Sequence, residues 1–155
     1  MSLRNQVHVG LFHLAPVLTS GASLAWAFSE YQTLIPFLQS DIPAAPLASW
    51  FNRWFRLATA GIVGCGLAST SWGYVGSTRA AGMAGRLYLY GAVLSAAHFA
   101  FVPWIAPCIE RLVYGPEHRT KDELRRWLRI HTVRTLLTDI PAFVCFTWGY
   151  LEWTS

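Results

Sequence analysis

The sequence predicts an all-α fold, an integral-membrane four-helix bundle, from its composition, its apolar stretches and the placement of its tryptophans. Of its 155 residues, 54% are hydrophobic and only 13% are charged, which sets the chain apart from soluble domains. Four apolar stretches approach the length of about 20 residues that a helix needs to cross a bilayer. Because they lack the alternation of strands, the chain 1–155 is predicted to be a single transmembrane domain.

The first two predicted helices cover about 7–28 and 50–75. Tryptophans prefer the membrane–water boundary, and Trp26 closes the first helix while Trp50 opens the second and Trp72 closes it. A cleavable signal peptide is the alternative for the first helix, since "ASLAWA" at 22–27 resembles a cleavage site. Its removal would leave an awkward bundle of three helices, so a transmembrane helix is the simpler interpretation.

The last two predicted helices cover about 85–106 and 121–153. The third contains Gly91 and Ser95, small residues of the kind that let helices approach closely in lipid. The fourth is preceded by Thr120 and Glu123, the spacing of a capping box, and is therefore expected to begin near Lys121. The formal charge of +4 lies mostly near predicted helix ends, as in membrane flanks, so a nucleic-acid partner is not expected.

Four ionisable side chains lie at predicted membrane depth, where each costs about 2.5 to 3.5 kcal/mol on insertion scales. They are His98 in the third helix and His131, Arg134 and Asp139 in the fourth. On an ideal α-helix Arg134 lies about 60° to one side of His131, and Asp139 lies about 80° to the other side. These angles predict a row that faces inward, in which Arg134 and Asp139 are too far apart to pair and each needs a partner on another helix.

The row predicts acid/base chemistry on a lipophilic substrate. His131 is the candidate general base or acid, Arg134 the group that stabilises an oxyanion, and Asp139 and His98 the orienting or proton-relay groups. Other side chains are expected to contact the substrate: Arg53, Asn52, Trp54, Trp104 and His13. Two histidines and a carboxylate could hold a metal, but no metal-ligand spacing supports this, so neither a metal nor another cofactor is predicted. The buried groups could instead be structural links between helices.

The chain resembles the anthrone oxygenase-like family of small four-helix membrane proteins of fungal secondary metabolism. The resemblance lies in "WLRIHTVRTLL" at 127–137, which is similar to the family signature W/L-x-x-x-H/N-x-x-R-x-L, and in "VPWIAPCIERL" at 102–112. His131 and Arg134 match the signature. In the second stretch Cys108 and Ile109 stand where the family usually has asparagine after the proline. The resemblance implies a cofactor-independent oxygenation, in which an anthrone is deprotonated and its carbanion reacts with dioxygen.

The predicted function is therefore that of a membrane-embedded tailoring enzyme of polyketide or terpenoid biosynthesis, a cofactor-free monooxygenase of an anthrone-like substrate. A redox-neutral cyclase, isomerase or epoxide-opening enzyme is the alternative with the same acid/base groups. A membrane assembly or transport subunit is the alternative of another class. The expected partners are a lipophilic small molecule and membrane lipids, the expected location is the endoplasmic reticulum membrane, and a homo-oligomer stays open.

Overall fold

The chain folds into four helical rods joined by short connections, as a computed structural model shows. The structure describes residues 3–39 and 41–155, and side chains from Gly10 onward within them. The first two rods are α1 (Leu3–Leu34) and α2 (Ala45–Arg79). The third consists of α3 (Gly82–Ala97), a 3₁₀ turn (His98–Phe101) and α4 (Val102–Tyr114). The fourth consists of α5 (Thr120–Arg134), a π-helical turn (Thr135–Asp139) and α6 (Ile140–Thr154).

The rods form a closed ring, since α1 packs on α2, α2 on α3, α3 on α6 and α6 on α1. The all-α prediction is confirmed, but the observed helices are longer than predicted. The second and third rods are separated only by Ala80 and Ala81, where Gly82 adopts a left-handed φ of 63° that glycine tolerates. The first helix continues to Leu34, and a 3₁₀ turn (Ile35–Leu38) follows it.

The predicted capping box at the start of the fourth rod does not form. The helix begins at Thr120, but the residue that caps it is Arg119, and no side chain bonds the free backbone N–H groups there. Thr120 is 1% exposed and packs inside the bundle instead.

The third and fourth rods each contain one irregular turn, and a proline closely follows each turn. Proline has no N–H to donate, so Pro103 cannot bond the carbonyl of Phe99, and the 3₁₀ turn lies just before it. Pro141 likewise cannot bond the carbonyl of Leu137, which lies inside the π-helical turn. These two irregular turns carry His98 and Asp139, so they determine where the ionisable side chains point.

The apolar core is divided between the two ends of the bundle. One cluster contains Phe51, Trp127 and other fully buried side chains of α1, α2, α4 and α5. The other contains Tyr88, Ala142 and Phe146 of α3 and α6. The ionisable side chains lie between these clusters, because His98 and Asp139 belong to the irregular turns in the middle of the third and fourth rods. Arg134 directly precedes the second of these turns.

Two helical segments, Gly10–Leu38 and Gly82–Tyr114, are long and apolar enough to cross a membrane. Only 22% of the most apolar part of each is buried inside the molecule, unlike the core helix of a soluble protein. Large apolar side chains are also exposed on the other two rods, for example Leu57 at 81% and Leu151 at 60%. These features support a membrane protein, as predicted.

Candidate active site

The four ionisable side chains predicted to carry chemistry meet in the middle of the bundle. His98 Nδ1 lies 2.8 Å from Asp139 Oδ1, and Arg134 Nε lies 3.4 Å from Asp139 Oδ2. Arg134 Nη2 lies 2.8 Å from His131 Nδ1. All four residues are buried, with relative exposures between 0% and 8%. Asp139 therefore has a partner on another helix, as the sequence predicted, and that partner is His98.

The prediction that Arg134 and Asp139 cannot pair with each other is wrong. It assumed a regular α-helix, in which residues five apart lie about 140° apart around the axis. The segment Thr135–Asp139 is instead a π-helical turn, closed by a bond from the Ile140 N–H to the Thr135 carbonyl. In such a turn residues five apart are stacked along the axis, so Arg134 and Asp139 reach each other. π-helical turns are rare and often occur at functional sites.

The His98–Asp139 pair leaves one histidine nitrogen available. The Asp139 carboxylate can only accept, so His98 Nδ1 carries the proton and donates it to Oδ1. Thr138 Oγ1 lies 3.2 Å from the same oxygen, although its hydroxyl makes its shorter hydrogen bond, of 2.7 Å, to the carbonyl of Arg134. In neutral His98 the other nitrogen, Nε2, is then an acceptor, and it has no hydrogen-bond partner among the described residues. His98 is thus oriented as a base.

His131 is held differently, because both of its ring nitrogens have partners. Arg134 can only donate, so His131 Nδ1 accepts from it, and Nε2 donates to the carbonyl of Ala27 at 3.2 Å. The ring is fully buried and stacks on Trp127, with 4.9 Å between ring centroids. His131 therefore fixes the position of Arg134 and connects it to α1.

An apolar cavity of about 330 Å³ borders this cluster. It lies between α2, the third rod and α5, and its polar wall is formed by Glu30, His98 and Arg134. The remaining wall is mostly apolar: Phe55, Thr59, Ile62, Val63, Phe99, Val102, Ile105, Ala106, Ile109 and Trp127. Val63 and Val102 are also exposed at 37% and 53%, so the cavity reaches the outer surface between α2 and α4. His131 is not part of its wall.

Glu30 is a site residue that the sequence did not reveal. It is 1% exposed, although its place after the first apolar stretch predicts a loop. Its Oε2 lies 3.3 Å from His131 Nδ1, but neither carboxyl oxygen has a hydrogen-bond partner among the described residues. Ala27, Glu30 and Leu34 are all buried, at the spacing of one helix face. The sequence contains this spacing, but it indicates a buried helix face only if the first helix continues to Leu34, beyond its predicted end near residue 28.

The five residues predicted to contact the substrate do not line this cavity. Arg53 is exposed, Asn52 accepts a hydrogen bond from Arg56, and Trp54 stacks on Trp50 with 5.6 Å between centroids. The cavity wall on α2 begins one residue later, on another face of the helix.

Trp104 and His13 lie elsewhere in the molecule. Trp104 is 60% exposed and lines a surface groove with Arg129 on the outer face of α4. His13 is 2% exposed and stacks on Trp153 in the half of the bundle that contains Tyr88. The direction of each side chain around its helix depends on packing, which the sequence does not show.

The described residues contain no group of three or more histidine, cysteine, aspartate or glutamate side chains placed to hold a metal ion. Cys65, Cys108 and Cys145 are free thiols.

Three fungal proteins named epoxidases are similar to this chain. It is 28% identical to the epoxidase pydX of Acremonium sp, across 92% of this chain and 93% of the relative. It is 25% identical to the probable epoxidase scpX of Mollisia scopiformis, across 89% of this chain and 92% of the relative. The epoxidase gkaX of Penicillium citrinum is 32% identical over 60 residues, which cover 38% of this chain and 37% of the relative.

No family model matches the chain, and no solved structure matches it. The similarities support the coarser part of the prediction, an oxidative or related enzyme of the fungal tailoring type. They do not single out the anthrone oxygenase-like family, since each relative is named an epoxidase.

Proposed function

We propose that this chain is a membrane-embedded tailoring enzyme that oxygenates a lipophilic, anthrone-like polyketide or terpenoid without a cofactor. The observation that carries the proposal is the His98–Asp139 pair, in which His98 has one nitrogen without a partner among the described residues and lines an apolar cavity together with Arg134. The similarity to fungal epoxidases favours chemistry that uses oxygen.

The first step is removal of an acidic proton from a carbon next to a carbonyl group. His98 Nε2 takes the proton, while Asp139 holds Nδ1–H and stabilises the imidazolium that forms. Arg134 has five N–H donors, of which one bonds His131, while its Nε contacts Asp139 at 3.4 Å without a hydrogen bond, so donors are free for the enolate oxygen. In this assignment His98 is the base, and His131, predicted for that role, positions Arg134.

The enolate then reacts with dioxygen at carbon. A CH₂ group and one O₂ become a ketone and one water, so the substrate supplies all four electrons and no further reductant is needed. The apolar wall excludes water from the carbanion and strengthens the charge interactions with Arg134. A cavity of about 330 Å³ falls within the size range of small-molecule sites.

The membrane is part of the proposal. Four rods with exposed apolar surfaces would cross the endoplasmic reticulum membrane, and the opening between α2 and α4 would face lipid. A lipophilic substrate dissolved in the bilayer could then enter the cavity from the side.

A redox-neutral reaction is the second candidate, and Glu30 is the observation that favours it. The cavity wall carries the carboxyl group of Glu30, which has no hydrogen-bond partner among the described residues, and the ring of His98. An acid and a base suit the opening of an epoxide, in which the epoxide oxygen gains a proton and the attacking group loses one. Product formation under nitrogen would favour this candidate, whereas a strict need for air supports oxygenation.

The proposal is tested with His98→Gln in membranes that retain the protein after an alkaline carbonate wash. Anthrone is supplied in deuterated buffer under nitrogen, and then under air. We expect the enzyme to exchange the CH₂ protons under nitrogen and to form anthraquinone under air. In His98→Gln both rates should fall by about 10²- to 10⁴-fold, the usual contribution of a general base.

His118→Gln is the matched control, since His118 is exposed on the 3₁₀ turn before α5 and should leave both rates unchanged. If His98→Gln folds and retains both rates, the catalytic proposal is lost and a structural role in the membrane is favoured.

A further inference from the structure

We propose that Glu30 is a second catalytic group, an uncharged carboxylic acid that gives its proton to an oxygen atom of the bound substrate. The inference rests on the proposed function and adds a residue that the sequence patterns do not indicate.

The surroundings of Glu30 do not match those of a structural carboxylate. A buried carboxylate normally accepts several hydrogen bonds, yet both oxygens of Glu30 lack a donor among the described residues. The nearest nitrogen, His131 Nδ1, already accepts from Arg134 and has no proton to offer. Glu30 also borders the cavity, so a bound molecule can provide the partner that the protein does not.

The charges of the cluster indicate an uncharged Glu30. Arg134 carries one positive charge and already contacts the Asp139 carboxylate at 3.4 Å. His131 is neutral, because one of its nitrogens accepts and the other donates. A second carboxylate would therefore leave an uncompensated negative charge in an apolar cavity, which is costly, whereas a protonated acid adds no charge.

Glu30 and His98 are the two side chains of the described cavity wall that readily exchange a proton, since Arg134 keeps its charge. One is an acid without an acceptor and the other is a base without a donor on Nε2. A reaction that takes a proton from carbon and gives one to oxygen needs both, and this pair supplies them on the same cavity.

The acid is needed when the oxygen–oxygen bond breaks. After dioxygen has added to the carbanion, the peroxide regains a proton from the imidazolium of His98 and becomes a hydroperoxide. His98 then takes the remaining C–H proton, the C–H electron pair forms the C=O bond, and the O–O bond breaks. The outer oxygen accepts the proton of Glu30 and leaves as water, and the proton on His98 returns to Glu30.

Glu30→Gln separates this role from the first step, because glutamine has the same shape but no acidic proton. With anthrone as the probe, proton exchange under nitrogen should stay within about threefold of the unaltered enzyme, because His98 and Arg134 are intact. Anthraquinone formation under air should fall by about 10²-fold or more, and the hydroperoxide should accumulate. Mass spectrometry would detect it as anthrone plus one O₂.

Glu30→Asp keeps an acid at this position and should recover part of the anthraquinone formation lost in Glu30→Gln. Glu117→Gln is the matched control, an exposed acid on the 3₁₀ turn before α5 that should change neither rate. Thermal unfolding of each variant shows whether it is folded.

Two results would overturn the role of Glu30. One is unchanged anthraquinone formation in Glu30→Gln, and the other is a parallel loss of exchange and product formation that Glu30→Asp does not relieve. If the unaltered enzyme neither exchanges nor oxidises anthrone, the proposed function fails first, so the two failures are distinguishable.

Discussion

Asp139 joins His98 on the third rod to Arg134 on the fourth. It accepts a hydrogen bond from His98 Nδ1 and contacts Arg134 at 3.4 Å, from a position that is 7% exposed. Loss of Asp139 would leave the charge of Arg134 buried without a partner. An unpaired buried charge is more costly than a buried pair, so the folded state would be destabilised. The same change would also release the ring of His98.

We predict that Asp139→Asn and Arg134→Gln each lower the free energy of unfolding by about 3 to 5 kcal/mol. The double variant should lose clearly less free energy of unfolding than the two single variants together, because it leaves no unpaired charge. Circular dichroism during denaturation in detergent micelles measures all three. Additive losses would contradict direct pairing.

Arg125→Gln is the control for these three variants, and it should change the free energy of unfolding little. Arg125 pairs with Asp122 at 2.7 Å on the exposed surface of α5, where ion pairs contribute about 0 to 1 kcal/mol.

At the scale of the helix, the π-helical turn determines the register between α5 and α6. It places Arg134 at the end of one helix and Asp139 just before the other, on the same side of the rod. Residues five apart across a π-helical turn and residues four apart across an α-helical turn occupy equivalent, hydrogen-bonded positions. Deletion of one residue from this segment should therefore keep Arg134 next to Asp139, whereas insertion of one residue should separate them.

We predict that deletion of Leu136 converts this segment to a regular α-helical turn and preserves much of the proton exchange with anthrone. Arg134 and Asp139 would then be four apart and still adjacent. Insertion of alanine after Leu136 would separate them by six positions, about 120° around an α-helix, and should lower exchange by about 10²-fold or more.

Leu136 and Leu137 are suitable for this test because they are 58% and 60% exposed, so few contacts are lost. Leu137→Ala is the control with unchanged length. An equal loss of proton exchange after the deletion and after the insertion would show that the activity does not depend on the register between Arg134 and Asp139.

At the scale of the whole molecule, the bundle is held by close approach of three helices around Phe146. A Cβ atom added to Gly73 or Gly91 would lie only 2.5 Å from this ring, which is fully buried and cannot move aside. Small residues at such contacts let helices pack in lipid, where no hydrophobic force draws them together. This contact lies beside the site, since Ala142 and Asp139 precede Phe146 on the same rod.

We predict that Gly91→Ala lowers the free energy of unfolding by about 1 to 3 kcal/mol through overpacking. Gly64→Ala is the matched control, since nothing lies within 4 Å of its added Cβ, and it should have little effect. Thermal unfolding in detergent distinguishes the two variants, and equal stability would contradict the packing around Phe146.

Several features of the site were predictable because they depend on residue type and depth along a helix. The apolar stretches alone predicted four helices, and the cost of charge in an apolar layer singled out His98, His131, Arg134 and Asp139. The five residues predicted to contact the substrate lie away from this cavity for a different reason. Depth can be estimated from position along a stretch, whereas the direction of a side chain depends on the neighbouring helices.

Composition and periodicity predict that this chain forms apolar helical rods, and they indicate four of the ionisable groups that these rods bury, although not Glu30. How the buried groups pair depends on the tertiary structure. The π-helical turn before Pro141 brings Arg134 to Asp139. The hydrogen bonds occupy both ring nitrogens of His131 but only one of His98, and the longer first helix places Glu30 at the cavity. Each depends on backbone geometry and contacts between distant helices, which periodicity along one helix does not contain.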